Sequence, residues 1–261
     1  FHNAFVQTMK LFVVGLLLVV GSLAAPTKDN YRDVISEHLN GMGEPLQADY
    51  CSNYNCCFYE NSTDGCFIGN TTEFPTNEPT LVFPGGETRC IFSTSSPFAF
   101  QVWPGDKDKL LVFFQGGGAC WDEGSTSPQP LCITSIIPQD AEGIFDRSSG
   151  SGNQFADYTI VMPLYCTGDM HAGNVTRPYD DPAGEPVVQI GEYNTMTTFR
   201  WIKAQQEGGF LANKFTDLVV MGASAGSVAT QLWGGLVIQT FDYENVLVMP
   251  DSFIGVFPPN S

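Results

Sequence analysis

The stretch Asp217–Leu232, DLVVMGASAGSVATQL, joins an apolar run, a Gly-x-Ser-x-Gly pentapeptide and a segment compatible with a helix. The apolar run predicts a strand, and the small residues after the pentapeptide predict a helix. This order is typical of a sharp strand-to-helix turn that carries a nucleophilic serine, here Ser224, at its tip. A serine needs a base, normally a histidine oriented by a carboxylate, before it attacks. The stretch therefore predicts a serine nucleophile whose histidine has to be sought elsewhere in the chain.

Three further apolar runs predict strands of the same sheet, namely Lys109–Gly118, Asp157–Cys166 and Asn245–Ser252. Runs that are apolar on both faces are typical of parallel strands buried between helices. A helix candidate over Glu192–Gly209 lies between the second of these runs and the strand before Ser224. Another, over Ala225–Thr240, lies between Ser224 and the third run. This alternation predicts βαβ units and a mostly parallel central sheet flanked by helices, the α/β class.

Upstream of these strands, the short β-rich runs TLVFP, TRCIFS and FAFQVWP are separated by Gly, Pro and Ser. They predict antiparallel hairpin strands at the N-terminal side of the sheet. The apolar runs assigned to the parallel strands are also compatible with buried helices, but the flanking Gly and Pro favour strands.

A second chemical signal is the run FFQGGGACW, Phe113–Trp121, at the end of a predicted strand. Three consecutive glycines leave backbone N–H groups free to point at a ligand, and the second oxyanion donor of a serine hydrolase arises at this place. Gly117 and Gly118, together with the N–H of Ala225, are therefore the candidate oxyanion donors. A phosphate-binding loop is excluded because no Gly-Lys-Ser/Thr follows, and a flexible turn is the remaining alternative.

The charge balance of the chain limits the kinds of partner that it can bind. The chain has 261 residues, with 11 Lys plus Arg against 28 Asp plus Glu, a formal net charge of −17. Binding to a nucleic-acid backbone relies on clustered Lys and Arg, so nucleic acid is excluded as a partner. No metal or organic cofactor is expected.

The N-terminal region predicts export. Met9 and Lys10 precede the apolar segment Leu11–Leu23 and the small residues Ala24 and Ala25. This pattern is that of a secretory signal peptide starting at Met9, and its apolar core is shorter than the roughly 20 residues that a membrane span needs. We expect residues 1–25 to be leader and signal peptide, and the mature protein to be extracellular.

All eight cysteines lie after the signal peptide, which predicts up to four disulfides in an exported protein. Cys120 and Cys132 bracket a short Pro-rich loop and are the pair that the spacing favours. A zinc site is the alternative, but no Cys-x-x-Cys pair or Cys/His cluster has ligand spacing. The sequons at Asn61, Asn70 and Asn174 are glycosylation candidates.

The segments VFPGGETRCIFSTSSPFAFQVWPGDKDKLLVFFQGGGACWD, FADYTIVMPLYCTGDMHAGN and VVMGASAGSVAT together resemble the pectin acetylesterase and Notum family of secreted carboxylesterases. The resemblance runs from about Val82 to Phe257. It implies an α/β-hydrolase-like architecture, Ser224 as nucleophile, and Gly117, Gly118 and Ala225 as oxyanion donors. It also implies acyl esters, chiefly acetyl esters of polysaccharide, as substrates.

The resulting organisation is a signal region over 1–25, a Cys-rich and loop-rich lobe over 26–80, and an esterase domain over 81–261. Further residues are expected at the rim of the site. They are Trp121, Asp169, His171 and Asp251. Asp251 lies in PDSFIGVF, where the resemblance implies a structural residue or a site wall and not the triad acid. Trp121 and Trp201 are candidate pocket aromatics, with core packing as the alternative.

The histidine is the gap in this prediction. Of the three histidines, His2 precedes the signal peptide, His38 lies in the lead segment and His171 precedes Ser224. An α/β-hydrolase places its histidine after the serine and the acid. We expect the C-terminal part of the enzyme, with the triad Asp and His, to lie beyond Ser261. The competing interpretation is that His171 serves as the base in an unusual arrangement.

Three functions remain open at this stage. The first is a secreted serine esterase acting on acetylated polysaccharide. The second is a Notum-like deacylase acting on a lipidated protein, and the third is a non-catalytic binder of carbohydrate or a partner on an esterase scaffold. The predicted strand Asn245–Met249 would be an exposed apolar edge of the sheet. Such an edge can pair with another chain, so we expect the protein to aggregate.

Overall fold

A computed structural model describes residues 50–59, 66–76 and 78–252. The predicted signal peptide, His2, His38 and Asn61 lie outside these ranges. Within them, no helix has both the length and the apolar character needed to cross a membrane.

The described residues form nine strands and three α-helices. The strands are β1 (Asn55–Phe58), β2 (Thr80–Phe83), β3 (Phe100–Trp103), β4 (Asp106–Phe114), β5 (Tyr158–Pro163), β6 (Val175–Asp180), β7 (Pro186–Gln189), β8 (Lys214–Ala223) and β9 (Asp242–Asp251). The helices are α1 (Glu123–Thr126), α2 (Gly191–Glu207) and α3 (Ala225–Thr240), with a short 3-10 helix over Gly143–Phe145.

Seven strands make one sheet in the order β1-β2-β3-β5-β4-β8-β9. The pairs β5/β4, β4/β8 and β8/β9 are parallel, whereas β2/β3 and β3/β5 are antiparallel. The predicted class is therefore confirmed, since the sheet is mostly parallel with antiparallel strands at its N-terminal side. A parallel pair needs a long connection, and α3 supplies it between β8 and β9.

Aromatic side chains tie both long helices to one face of this sheet. Phe199 of α2 lies 5.9 Å from the Trp233 ring of α3 and 6.5 Å from the Phe114 ring of β4. The opposite face receives the 3-10 helix, whose Phe145 stacks on Trp103 at 4.6 Å. Trp201 is fully buried on α2. Of the two interpretations of Trp201, the structure favours core packing.

The run TRCIFS (Thr88–Ser93) does not form the strand that the sequence predicts. Its backbone divides its hydrogen bonds between two segments, since Ile91 N–H donates to Cys166 and the Ile91 carbonyl accepts from Val188 N–H. The Cys90–Cys166 disulfide holds the run in this position. With no single neighbouring strand to pair with, it remains an irregular segment.

Four disulfides pair all eight cysteines: Cys51–Cys56, Cys57–Cys66, Cys90–Cys166 and Cys120–Cys132. The pairing expected from the Pro-rich loop, Cys120–Cys132, is confirmed. Adjacent Cys56 and Cys57 lie on β1, where successive side chains point to opposite faces, so the two bonds leave the strand in opposite directions. Disulfides of this number are typical of proteins from an oxidising compartment.

The sequence did not predict β1, which pairs in parallel with β2 at one edge of the main sheet, or the separate hairpin of β6 and β7. Strand β1 lies in a Cys-rich segment whose composition has no strand-like alternation, so the sequence gives no signal for it. In the hairpin, β6 has half-buried and exposed residues without strict alternation and β7 has only four residues, so periodicity was a poor signal.

Candidate functional site

The backbone at Ser224 has the geometry of a sharp strand-to-helix turn. Its φ is 56° and its ψ is −120°, a conformation that non-glycine residues rarely adopt. A Cβ atom on Gly226 would lie 1.9 Å from the Phe114 carbonyl oxygen, and one on Gly222 would lie 2.2 Å from the Gly226 oxygen. Only glycine fits these two positions, so the strand and the helix approach closely and Ser224 is left exposed at the tip.

The first turn of α3 follows immediately. Ser224 is the residue before the helix, and its side chain makes no capping hydrogen bond. The Ser224 N–H donates instead to the Asp251 carbonyl at 3.1 Å, which ties the turn to the end of β9. The N–H of Ala225 therefore belongs to an uncapped helix start, where the helix dipole favours negative charge.

The glycine run starts where β4 ends, beside this turn, because β4 and β8 are parallel neighbours. Gly116 lies against Ser224, since a Cβ atom there would be 2.4 Å from the Ala223 carbonyl oxygen and 3.1 Å from Ser224 Cβ. Gly117 has a φ of 155° and Gly118 a φ of 76°, conformations that favour glycine.

Gly117 and Gly118 lie against the loop closed by Cys120–Cys132. Ile133 N–H donates to the Gly117 carbonyl at 2.8 Å, and Ala119 N–H donates to the Leu131 carbonyl at 3.1 Å. These two bonds leave the N–H of Gly118 directed away from Cys132, its partner in an isolated antiparallel bridge. The structure thus adds Gly116 to the residues beside the serine, a position that the sequence pattern did not single out.

Helix α1 lies inside the same loop and is held by a reciprocal cap. Asp122 Oδ1 accepts from Ser125 N–H at 2.8 Å, and Ser125 Oγ accepts from Asp122 N–H at 3.0 Å. Trp121 and Leu131, which flank the two cysteines, are each 59% exposed. Trp121 is therefore not a core residue, and the loop exposes two large apolar side chains to solvent.

His171 lies in the interior, only 3% exposed, and not at the surface. Its Nε2 is 2.8 Å from the Gln115 carbonyl oxygen. Since a carbonyl has no proton to give, Nε2 carries the hydrogen and Nδ1 is the unprotonated nitrogen of the neutral ring. Burial lowers the pKa of His171 from 6.5 to about 4, so the ring is neutral at pH 7.

Asp169 lies in the loop that follows β5 and is hydrogen-bonded to the start of helix α2. Its carboxylate accepts from Thr167 Oγ1 at 2.6 Å, from His171 N–H at 3.1 Å and from Gly191 N–H at 2.8 Å. Burial raises the pKa of this carboxyl, and its hydrogen bonds lower it only in part. The carboxyl group lies at the N-terminus of α2, where it accepts the otherwise unpaired N–H of the first helical residue.

Gln115 and Tyr165 support the glycine run, and neither was predicted from the sequence. Gln115 Oε1 accepts from Tyr165 N–H at 2.9 Å, and Gln115 Nε2 donates to the Ile137 carbonyl at 2.8 Å. The Tyr165 hydroxyl donates to the Gly118 carbonyl at 3.0 Å. A glutamine directly after an apolar strand was the available signal for the first residue, because buried polar groups need partners.

The remaining predicted residues have separate locations. Asp251 ends β9 with an exposed side chain. Asn174 is exposed and its amide donates to Glu192, whereas Asn70 lies in a turn and its side chain accepts from Thr72 N–H. Among the described residues, the sulfur atoms of Cys57 and Cys66 approach Glu73, but both are in a disulfide and cannot act as thiolate ligands.

No protein-family model matches the chain, and no curated protein matches it. Among solved structures it is similar to the Wnt deacylase Notum from Drosophila in two crystal forms. Crystal form II has 17% sequence identity and a TM-score of 0.42 over 61% of this chain and 49% of that chain. Form I has 16% identity and a TM-score of 0.40 over 60% and 46%. The chain thus spans about half the length of the solved Notum chains that it matches.

Proposed function

We propose that this chain carries the nucleophile and the oxyanion donors of a secreted serine carboxylesterase that acts on acyl esters, chiefly acetyl esters of polysaccharide. The observation that supports it most is the backbone of Ser224, with φ 56° and ψ −120° between β8 and α3. Such strain persists only where surrounding structure enforces it, and it is typical of functional sites.

In the proposed reaction, Ser224 Oγ attacks the ester carbonyl carbon. The carbonyl oxygen gains negative charge and accepts hydrogen bonds from Ala225 N–H and from the glycine run, with Gly117 and Gly118 as donors and Gly116 beside them. Collapse of this intermediate breaks the ester C–O bond, the leaving oxygen takes up the proton removed from Ser224 and departs as the alcohol, and an acyl-enzyme remains on Ser224. Water then attacks, the acid is released and the serine is restored.

The base is the remaining part of the proposal. Within the described ranges the one histidine, His171, donates through Nε2 to a backbone carbonyl and is enclosed by rings. It is therefore poorly suited to take the proton of Ser224. We assign that role to an Asp-oriented histidine outside these ranges, downstream in the order that α/β-hydrolases follow.

The test uses the longest product of the natural transcript, with p-nitrophenyl acetate as substrate. Ser224→Ala is expected to lower kcat by about 10⁴-fold or more, since the loss of the nucleophile leaves only binding and the oxyanion site. Ser227→Ala is the matched control. Its buried hydroxyl has no hydrogen-bond partner among the described residues, so its removal leaves the rate unchanged.

Two outcomes would change the assignment. A rate that does not depend on Ser224 would favour a non-catalytic binder of carbohydrate or a partner protein. A rate that rises steeply from acetyl to long acyl esters would favour a deacylase acting on lipidated substrates. The exposed apolar side chains of Trp121 and Leu131 are the observation that keeps the second alternative under test.

A further inference from the structure

The glycine run has no side chains of its own with which to fix its direction. Gly117 and Gly118 have positive φ angles, and glycine backbones adopt many conformations. Backbone N–H groups stabilise an oxyanion only when they already point at it before the reaction. Contacts from outside the run must therefore set its orientation.

His171 makes one of these contacts, on the peptide that enters the run. Its Nε2–H donates to the Gln115 carbonyl at 2.8 Å. The ring lies edge-on to Phe114, with ring centroids 5.3 Å apart, and near Tyr165 at 4.8 Å. Because these rings enclose the imidazole, it has little freedom to swing away from the carbonyl.

The backbone of His171 is anchored as firmly as its ring. The His171 carbonyl accepts from Thr195 Oγ1 of α2 at 3.2 Å and from Trp233 Nε1 of α3 at 3.0 Å. Its N–H donates to Asp169 Oδ1. Both long helices therefore determine where the imidazole lies, and the imidazole transmits that position to the end of β4.

The Gln115–Gly116 peptide is planar, so the direction of its carbonyl also sets the direction of the Gly116 N–H. Gly116 lies against Ser224 Cβ and the Ala223 carbonyl. We propose that His171 is a positioning residue, whose Nε2–H bond to the Gln115 carbonyl holds the glycine run in register with Ser224. This inference rests on the proposed esterase function.

Other contacts on Gln115 limit the size of the effect. Its side chain is bonded to Ile137 and Tyr165 at both ends, so loss of the His171 bond reorients the peptide without releasing it. Removal of an entire oxyanion donor costs about a hundredfold to a thousandfold in rate. Loss of the His171 bond is therefore expected to lower kcat by about tenfold to a hundredfold.

The test compares three variants of the full-length enzyme on p-nitrophenyl acetate. His171→Gln keeps an N–H donor at the same number of bonds from Cα. His171→Asn carries the same amide one methylene shorter and suits the positive φ of 61° at this position. His171→Leu has no donor and keeps a side chain of similar bulk.

The Gln variant is expected to keep kcat within about threefold of the wild type, whereas the Asn and Leu variants lose about tenfold to a hundredfold with little change in KM. The inhibition constant of an alkyl boronic acid, whose serine adduct is tetrahedral, should rise in proportion in the same two variants. A wild-type kcat in the Asn and Leu variants, or an equal loss in all three, would overturn the proposal. If His171→Leu does not fold by circular dichroism, the Gln and Asn pair carries the comparison.

Ser224→Ala in the same assay distinguishes a failure of the positioning role of His171 from a failure of the esterase function. If this variant is inactive and His171→Asn is fully active, the positioning role fails and the esterase remains. If Ser224→Ala retains the wild-type rate, the proposed function is wrong and the role of His171 falls with it.

Discussion

Gly226, Gly222 and Gly116 share one property, which is that a backbone atom from another segment occupies the space a side chain would need. The shortest of these approaches is 1.9 Å, between a Cβ placed on Gly226 and the Phe114 carbonyl oxygen. A backbone atom cannot move aside as a side-chain tip can. These glycines are therefore needed for the close contact of β4, β8 and α3, whatever chemistry Ser224 performs.

Gly226→Ala is expected to destabilise the protein by about 3 kcal/mol or more, because the strand or the helix has to shift. This corresponds to a fall in Tm of about 10 °C in a domain of this size. Gly124→Ala is the matched control, since its Cβ would meet only Asp122 Oδ1 at 3.8 Å. Thermal melts followed by circular dichroism measure both, and an unchanged Tm for Gly226→Ala would refute the argument.

His171 makes stability depend on pH. Its pKa is 6.5 in the unfolded chain and about 4 in the folded protein, so between these values the unfolded state binds a proton that the folded state does not. The contribution of His171 to the free energy of unfolding is therefore fully present above pH 6.5, and it falls by about 3 kcal/mol as the pH drops to 4. Asp169, whose pKa is raised, acts in the opposite direction at low pH.

The contribution of His171 is isolated by comparison with His171→Gln, which has no titrating group. Urea titrations at pH 7, 5.5 and 4.5 give the free energy of unfolding of both proteins. The wild type should lose stability toward pH 4.5 more steeply than the variant. Parallel pH profiles would show that the imidazole is accessible to protons in the folded state.

At the scale of elements, the site depends on where β4 and β8 end. Their parallel register pairs Phe114 with Gly222, so the glycine run and Ser224 leave the sheet at the same edge. The loop that follows the run is closed by Cys120–Cys132 and bridged at Gly118. The disulfide therefore acts on the folded stability and on the glycine run together.

Replacing Cys120 and Cys132 by serine should cost about 3 kcal/mol, from a sequence separation of 12 residues, and should also lower the kcat of the proposed esterase. Replacing Cys51 and Cys56 is the control, with a separation of 5 residues beside the opposite edge strand. It should cost about 2 kcal/mol and leave kcat unchanged. An equal kcat in both double variants would show that the Cys120–Cys132 disulfide does not affect the geometry of the site.

At the scale of the whole molecule, an apolar edge strand favours association between chains, whereas a large net charge opposes it. In the described part of the sheet β9 pairs only with β8, and four of its apolar side chains are between 37% and 46% exposed: Val246, Leu247, Val248 and Met249. An exposed apolar edge strand promotes pairing between chains. The net charge of −17 opposes it by repulsion.

The 261-residue chain is accordingly expected to associate, and more so as salt rises, because screening shortens the repulsion from about 10 Å at 0.1 M to about 3 Å at 1 M. Light scattering and gel filtration at the two salt concentrations measure this. Leu247→Lys should reduce association, whereas Leu131→Lys, at an exposed leucine away from the edge, should not. A monomer with a cooperative melt at both concentrations would contradict the prediction.

Much of the fold was predictable because its signals are local. Unbroken apolar runs indicated β4, β5, β8 and β9, and the small-residue segment after Ser224 indicated α3. The Pro-rich loop between Cys120 and Cys132 indicated its own disulfide, since two cysteines close in sequence meet easily. By contrast, Thr88–Ser93 has strand-like composition but lies between two segments that share its hydrogen bonds, a long-range fact.

Three features follow from the sequence without the fold: the strand-turn-helix around Ser224, the glycine run at the end of a second strand, and the acidic charge balance. Each depends on residues that are neighbours in the chain, where sterics and periodicity act directly. The fold was needed to show that Gly116 lies against Ser224 and that His171 bonds a backbone carbonyl. Those outcomes depend on contacts between residues far apart in sequence, whose partners are chosen by packing.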